Sequence, residues 1–302
     1  MNISLSSKVE NNFTCQRPLN IGVVFPAGWL GCDQILSIEK GIESYGFGIR
    51  WAKNYLTRHG YLCGDDQMRA QSLMDIWLDP EVDLIVCGKG GWGSARILPY
   101  LDFEKLNKQE KLFIGMSDIT ALHLAFKKKL SYSTILGPNL SLLFTPSENE
   151  ESKKMRDDLF SFIKGEKINI DLKNTLWIKK GEIQGELIGG NLAIINSLIG
   201  TPWSLETQNK VLLLEDINEP VYKIDRMLFQ LKAAGYLDDL KGVILASFHN
   251  CESQEDKMRL NDLFNFYFEK MDYPSLIGFP SGHISYQVPL ILGDQIVIKP
   301  IL

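Results

Sequence analysis

Ser117 lies at a predicted turn between a buried strand and a helix. The apolar run 112–114 predicts the strand, Gly115 permits a tight turn, and helical spacing of apolar residues begins at Ile119. The hydroxyl would therefore lie beside first-turn amides that carry a positive partial charge. Nucleophilic serines of hydrolases occupy such elbows, although the G-x-S-x-G pattern is absent here. From this stretch alone, an ordinary serine in a turn is the favoured interpretation.

A nucleophilic serine needs a base, and the chain contains only four histidines. His59 lies in a polar turn typical of a solvated residue. His123 follows Ser117 by six residues on one helix, which is too far along the axis for direct contact. His249 follows a predicted strand, and His283 lies in a loop where a flanking glycine permits close approach. The residues alone leave His249 and His283 as equal candidates.

A catalytic histidine in turn needs an acid, and the stretch 211–220 supplies three. Glu215 follows four apolar residues at the mouth of a predicted buried strand, where a carboxylate is partly desolvated and needs a partner. Holding a histidine would meet that need. Asp216 and Glu219 better fit the role of capping the helix that begins near Tyr222.

A glycine-rich loop at 88–93 follows a third predicted strand at 82–87. Its amides could cradle a phosphate, or one of them could donate to an oxyanion. The loop matches neither G-x-x-x-x-G-K-[ST] nor G-x-G-x-x-G, so the phosphate signal is weak. A non-catalytic module that binds a phosphorylated ligand is therefore kept as an alternative.

Strands and helices alternate through the first half of the chain, which predicts a mainly parallel, doubly wound α/β sheet. In such sheets the site lies beyond the carboxyl ends of the strands, where Ser117 and the loop 88–93 both fall. After residue 168 short strands dominate. We predict a flexible lead at 1–18, a nucleophile domain at 19–150, a linker helix at 151–167 and a β-rich α/β domain at 168–302.

Composition narrows the classes of function. The 302 residues are 45% hydrophobic and 23% charged, which is typical of a globular chain with a real core. A net charge of −5 without a basic patch argues against nucleic-acid binding, and no run of about 18 apolar residues predicts a membrane span. Five cysteines without a C-x-x-C pair argue against a zinc site or disulfides, and residues 1–18 lack a signal peptide's apolar core. We expect a cytoplasmic protein that uses no metal.

Six stretches, in order, resemble the LD-carboxypeptidase family of serine peptidases. They are GKGGWGSARILPYLD (88–102), IGMSDITALH (114–123), GELIGGNL (185–192), LIGTPW (198–203), LEDINEPVYKIDRML (214–228) and SGH (281–283). The resemblance implies a triad of Ser117, Glu215 and His283, and thereby decides between the two histidines. It also implies an oxyanion hole from the backbone amides of Gly91 and Asp118. The implied fold is a flavodoxin-like N-terminal part and a β-rich C-terminal part, with the triad completed between them.

The implied function is a serine-type L,D-carboxypeptidase that releases terminal D-alanine from murein tetrapeptide in cell-wall recycling. The resemblance implies a small peptide substrate, no cofactor and a homodimer. Lys89, Trp92 and Arg96 are the candidates for substrate binding. The family usually has Arg at position 89 and Tyr at position 92, which predicts a different pocket shape and a weaker grip on a carboxylate by Lys89.

One alternative lies within the same family. Relatives that resemble the microcin C self-immunity peptidase cleave peptidyl-aminoacyl nucleotides. Such a substrate would need an aromatic platform for the base, for which Trp92 and Trp203 are candidates.

Overall fold

A computed structural model of the chain describes residues 1–5, 18–144, 149–252 and 258–300. The chain divides into two compact units. The N-terminal unit is Ser7–Ile168, and the C-terminal unit combines Asn169–Leu302 with Met1–Ser6. Within the described ranges, no helix has both the length and the apolarity to cross a membrane.

Short strands and helices account for most of the described chain. The strands are β1 (Asn2–Leu5), β2 (Asn20–Val24), β3 (Gly48–Trp51), β4 (Leu84–Cys87), β5 (Leu112–Gly115), β6 (Thr134–Leu136), β7 (Leu176–Lys179), β8 (Ile183–Asn191), β9 (Val211–Ile217), β10 (Gly242–His249), β11 (Ser275–Ile277), β12 (Leu290–Leu292) and β13 (Gln295–Lys299). The α-helices are α1 (Cys32–Ser44), α2 (Asp66–Leu78), α3 (Ser94–Ile97), α4 (Phe103–Leu106), α5 (Thr120–Leu130), α6 (Leu140–Leu143), α7 (Glu150–Ile163), α8 (Leu192–Ser197), α9 (Val221–Ala233) and α10 (Leu260–Phe268).

Parallel strands in the order β3-β2-β4-β5-β6 form the sheet of the N-terminal unit. This is the flavodoxin-like order, with its switch point between β2 and β4. All four residues of β4 are buried, as expected for a parallel sheet covered on both faces. The order confirms the predicted α/β fold and places the loop after β4 at the switch point, where such sheets bind ligands.

The C-terminal unit contains a sheet in the order β1-β13-β8-β9-β10-β11-β7. The four central strands, β8 to β11, are parallel, and the outer pairs are antiparallel. The predicted β-rich α/β architecture is confirmed. Because β9 lies between two parallel neighbours and is buried as far as Asp216, Glu215 and Asp216 lie inside the unit rather than at the edge of the sheet.

The predicted flexible lead at 1–18 is wrong for its first residues. Asn2–Leu5 form β1, which pairs antiparallel with β13 and sets Asn2 opposite Lys299. Four residues are too few to predict a strand from their own pattern, and the pairing depends on the partner edge that β13 supplies. Residues 6–17 lie outside the described residues.

A helix is present where the linker helix at 151–167 is predicted. Its residues form α7, which belongs to the N-terminal unit. Leu159, Phe160 and Ile163 are buried, and the ring of Phe160 stacks on Tyr45 with centroids 4.4 Å apart. Charged residues at the start of this helix obscure that apolar face in the sequence.

A buried histidine braces the turn before Ser117. On α5, the Nε2 atom of His123 lies 2.9 Å from the carbonyl oxygen of Gly115, and its Nδ1 atom lies 2.8 Å from the hydroxyl of Thr134. A carbonyl only accepts, so Nε2 carries the proton and the Thr134 hydroxyl donates to Nδ1. Burial lowers the pKa of His123 to about 4, which keeps the ring neutral at pH 7. His123 is therefore a packing residue, as its place on the helix predicts.

Replacing His123 should change how the free energy of unfolding depends on pH. The pKa of His123 is depressed in the folded protein, so between pH 7 and pH 5 the unfolded chain binds a proton that the folded chain does not. The free energy of unfolding should then fall by about 2 kcal/mol more in the native chain than in His123→Gln. Urea unfolding at the two pH values measures this difference. The exposed His59, changed to Gln, is the control that should keep the native pH dependence. Equal pH dependence in His123→Gln and the native chain would contradict the assignment.

Candidate active site

Ser117 occupies a strained position directly after β5. Its φ is +65°, in the left-handed region, while Met116 before it is fully extended. Few non-glycine residues adopt such a φ, and those that do are concentrated at functional sites. A 3-10 turn, Ser117–Ile119, then leads into α5. Ser117 is partly exposed, and the predicted strand-to-helix elbow is present.

The backbone on both sides of Ser117 is held by neighbouring segments. The side-chain oxygen of Asn139 accepts a hydrogen bond from the amide of Met116 at 3.3 Å, and the side-chain nitrogen lies 3.5 Å from the Met116 carbonyl. The glycine loop is equally close, since a Cβ atom on Gly90 would lie 3.1 Å from that of Ser117. A side chain at position 90 would therefore require Ser117 or Asn139 to shift by a few tenths of an ångström.

Two backbone amides beside the elbow are available as donors. Among the described residues, neither the amide of Gly91 nor that of Asp118 donates a hydrogen bond. The amide of Gly28 donates to the carbonyl of Gly90 at 3.1 Å. That carbonyl shares a planar trans peptide with the Gly91 amide, so the Gly91 N–H points the opposite way. Oriented, unpaired amides of this kind can stabilise a developing oxyanion.

The side chain of Asp118 bonds to Ser94 and does not cap the helix that follows it. Its Oδ2 atom accepts from the Ser94 amide at 2.8 Å, at the start of α3, and the Ser94 hydroxyl donates to the Asp118 carbonyl. Burial raises the pKa of Asp118, an effect that these bonds to Ser94 partly offset. This pair of bonds ties the glycine loop to the elbow.

Glu215 and His283 form a buried pair in the C-terminal unit. His283 Nδ1 lies 2.6 Å from Glu215 Oε2, and the carboxylate is completely buried. Burial disfavours the charged ring, but the hydrogen bond and the charge of Glu215 outweigh it and raise the pKa of His283. Since Nδ1–H donates to the carboxylate, Nε2 is left as the basic nitrogen.

A β-bulge positions the His283 loop. The pairing of β10 with β9 shifts register between Leu245 and Phe248, and within the bulge the Ser247 amide donates to the carbonyl of Ser281 at 3.1 Å. Gly282 has a φ of +94°, and a Cβ atom there would lie 2.8 Å from Glu215 Oε2. Glycine at this position therefore allows the loop to approach the carboxylate.

Asp216, beside Glu215 on β9, has a different role from the predicted one. It accepts from the Asn191 side chain at 3.1 Å and from the Ala193 amide at 3.0 Å, so it caps α8 rather than the helix near Tyr222. Burial raises the pKa of Asp216 to about 6, and the neighbouring charge of Glu215 adds to the shift.

The remaining candidates differ in what they contact. His249 is exposed at the end of β10, so His283 is the better base on geometry. Lys89 donates to the carbonyl of Trp29 at 3.3 Å, and Trp92 is 42% exposed. Arg96 forms an ion pair with Asp66 at 2.8 Å. A substrate carboxylate would have to compete with that pair.

Sequence reasoning missed Asn139 and Arg69. Arg69 is buried on α2, one and two turns before Leu73 and Ile76 on the same face. A cation in the apolar stripe of a helix is a signal that the sequence carries, and it points to a buried polar network. Asn139 gives no comparable signal, because its partner is the backbone of Met116.

Comparison with known proteins assigns both units to one family. Residues 21–137 match the N-terminal domain and residues 184–298 the C-terminal domain of LD-carboxypeptidases. The probable murein peptide carboxypeptidase of Bacillus subtilis (strain 168) is 34% identical over 283 residues, 91% of this chain and 87% of that protein. The murein tetrapeptide carboxypeptidase of Pseudomonas aeruginosa is 28% identical over 87% of each chain.

A solved structure shares the fold over nearly the full length. The microcin C7 self immunity protein MccF, in its wild-type apo state, has a TM-score of 0.83 at 22% identity, covering 95% of this chain and 97% of that one. Domain matches over both halves and a relative of 34% identity agree with the elbow and the acid–imidazole pair. The chain belongs to the LD-carboxypeptidase family of serine peptidases.

Proposed function

We propose that the protein is a serine-type L,D-carboxypeptidase that releases the terminal D-alanine of a murein tetrapeptide in cell-wall recycling. The observation that carries this proposal is the buried Glu215–His283 pair, 2.6 Å between Oε2 and Nδ1. A desolvated carboxylate bonded to an imidazole is the arrangement that prepares a histidine to activate a serine. The names of the Bacillus subtilis and Pseudomonas aeruginosa relatives support a murein peptide as substrate.

In the proposed mechanism, His283 Nε2 removes the proton of the Ser117 hydroxyl. The oxygen attacks the carbonyl carbon of the diamino-acid residue that precedes D-alanine, and the amides of Gly91 and Asp118 stabilise the oxyanion. His283 then gives its proton to the departing amine, the C–N bond breaks, and D-alanine leaves. Water, deprotonated by the same imidazole, cleaves the ester and restores the serine. Glu215 keeps the proton of His283 on Nδ1 and stabilises the imidazolium.

The family resemblance implies that Ser117 and His283 belong to one triad, and we propose the same for this chain. Lys89 and Trp92, on the glycine loop next to the elbow, are proposed to contact the substrate, and Arg96 is proposed to do so only if it leaves Asp66. A cytoplasmic location and a homodimer stay predictions, which cell fractionation and sedimentation velocity would test.

A peptidyl-aminoacyl nucleotide is the second candidate substrate. The exposed indole of Trp92 favours it, because an aromatic face beside the elbow could stack on a nucleobase. Incubation with both substrates separates the two functions: released D-alanine supports the carboxypeptidase, and a released nucleotide supports the alternative. Replacing Trp92 with Tyr, the residue common in the family, should leave D-alanine release intact.

Two substitutions of Ser117 separate its role as the nucleophile from the strain of its backbone. Ser117→Ala should lower kcat by at least about 1,000-fold because the nucleophile is lost. Ser117→Gly should be equally inactive but more stable than Ser117→Ala, because glycine adopts a φ of +65° without strain.

Ser131, with a φ of +58° at the end of α5, is the matched control for that comparison. Ser131→Gly should change stability but leave turnover unchanged. D-alanine release and urea unfolding measure the two effects. Turnover retained by Ser117→Ala would refute the proposed nucleophile.

The pH profile should report the pairing of His283 with Glu215. The free base is the active form, and the pairing raises the pKa of His283, so kcat/KM should rise with pH through a midpoint above 6.5. In Glu215→Gln the midpoint should move to lower pH, because the charge of Glu215 no longer opposes the effect of burial and only the smaller effect of Asp216 does, and the plateau should fall by roughly 1,000- to 10,000-fold. Glu219→Gln, in the following loop, should keep both values. An unchanged midpoint in Glu215→Gln would contradict the pairing.

A further inference from the structure

A buried guanidinium connects the loops at the switch point of the N-terminal sheet. The side chain of Arg69 on α2 has no exposed surface. Its Nε donates to the carbonyl of Gly64 at 3.2 Å, and its Nη1 donates to the carbonyl of Gly93 at 2.7 Å and to that of Pro26. One side chain therefore holds the segment after β2, the segment before α2 and the end of the glycine loop.

The charge of Arg69 has nearby partners. Its Nη2 donates to Asp66, one helical turn earlier, and Asp66 also pairs with Arg96 on the surface. Burial lowers the pKa of Arg69, while the charges of Asp66 and Asp118 favour the cation. The group remains charged at neutral pH, since an arginine is not deprotonated in proteins.

The network continues from Arg69 to both amides that are free to donate. Gly93, which accepts from Arg69, precedes Ser94, and Ser94 bonds Asp118 through its amide and its hydroxyl. Gly91 lies two residues before Gly93 in the same loop. Arg69 and Ser94 thus join the loop that carries one donor to the turn that carries the other.

We propose that Arg69 is a positioning residue for the oxyanion hole. It acts through the Gly93 carbonyl and Ser94 to fix the Gly91 amide relative to the Asp118 amide, and it touches no substrate. This inference rests on the proposed acyl-transfer function. Because the spacing of two amide donors matters most when the carbonyl oxygen becomes an oxyanion, the loss should fall on the transition state rather than on substrate binding.

A guanidinium is required because its donors form a rigid planar fork. Arg69 spreads that fork over three carbonyls and a carboxylate, whereas a lysine ammonium offers three donors at a single point. Arg69→Lys keeps the charge but cannot reach all of these acceptors. It is therefore the variant that separates geometry from electrostatics.

The test compares Arg69→Lys and Ser94→Ala with the native protein, using release of D-alanine. We expect kcat to fall about 10- to 100-fold in Arg69→Lys and by a smaller factor in Ser94→Ala, with KM changed less than about threefold. The rate of inactivation by a serine-directed phosphonate should fall in parallel, because its adduct has a tetrahedral phosphorus whose phosphoryl oxygen mimics the oxyanion. The pH midpoint of kcat/KM should stay unchanged, since neither substitution touches the Glu215–His283 pair.

Arg156→Lys is the matched control, because Arg156 is a second buried arginine of the same unit and donates to the Leu143 carbonyl at 2.8 Å. It should lose stability without the selective loss of kcat. Native kcat in both Arg69→Lys and Ser94→Ala would overturn the inference, as would a loss of kcat in Arg156→Lys equal to that in Arg69→Lys.

Ser94→Ala, a small truncation, keeps the test valid if Arg69→Lys does not fold. If Ser117→Ala retained turnover, the proposed function itself would fail, which is a separate result.

Discussion

A carboxylate with no exposed surface is the constraint around which the C-terminal unit is arranged. Glu215 lies near the carboxyl end of β9, between two parallel strands, and a buried charge of this kind is tolerated only with a hydrogen-bonded partner. His283 supplies that partner, and it reaches the carboxylate because β10 bulges and Gly282 adds no side chain. The requirement of the buried Glu215 carboxylate for a hydrogen-bonded partner thus accounts for both the bulge in β10 and the positive φ of Gly282.

In the N-terminal unit, backbone amides rather than side chains are the donors proposed for the site. The proposed chemistry needs donors that point at one place, and the direction of an amide is fixed only by fixing the peptide that carries it. Gly28, Asn139 and the Ser94–Asp118 contact each fix one such peptide around Ser117. Strain at Ser117 is held in place by this surrounding network, as expected where a left-handed serine must present its hydroxyl.

Much of this arrangement could be predicted from the sequence. Apolar runs ending in glycine or in a charged residue identified β4, β5 and β9. The Glu215–His283 pair came from the family resemblance, since spacing alone left His249 open. The role of Asp216 was missed because α8 is close to it in space and not in sequence. The same holds for β1, whose four residues depend on β13 for their pairing. Local sequence patterns do not predict contacts between residues that are far apart in the sequence.

The peptide between Gly90 and Gly91 has a fixed orientation in the glycine loop, so its carbonyl and its N–H point in defined directions. Its carbonyl is bonded to Gly28, and its N–H faces the other way. A crankshaft rotation of this single peptide, which two glycines make sterically easy, would exchange the two dipole ends and aim a lone pair where a proton donor had been. Such a rotation would remove the proposed oxyanion donor of Gly91 without moving any side chain. The proposed chemistry therefore requires this one peptide to keep its orientation.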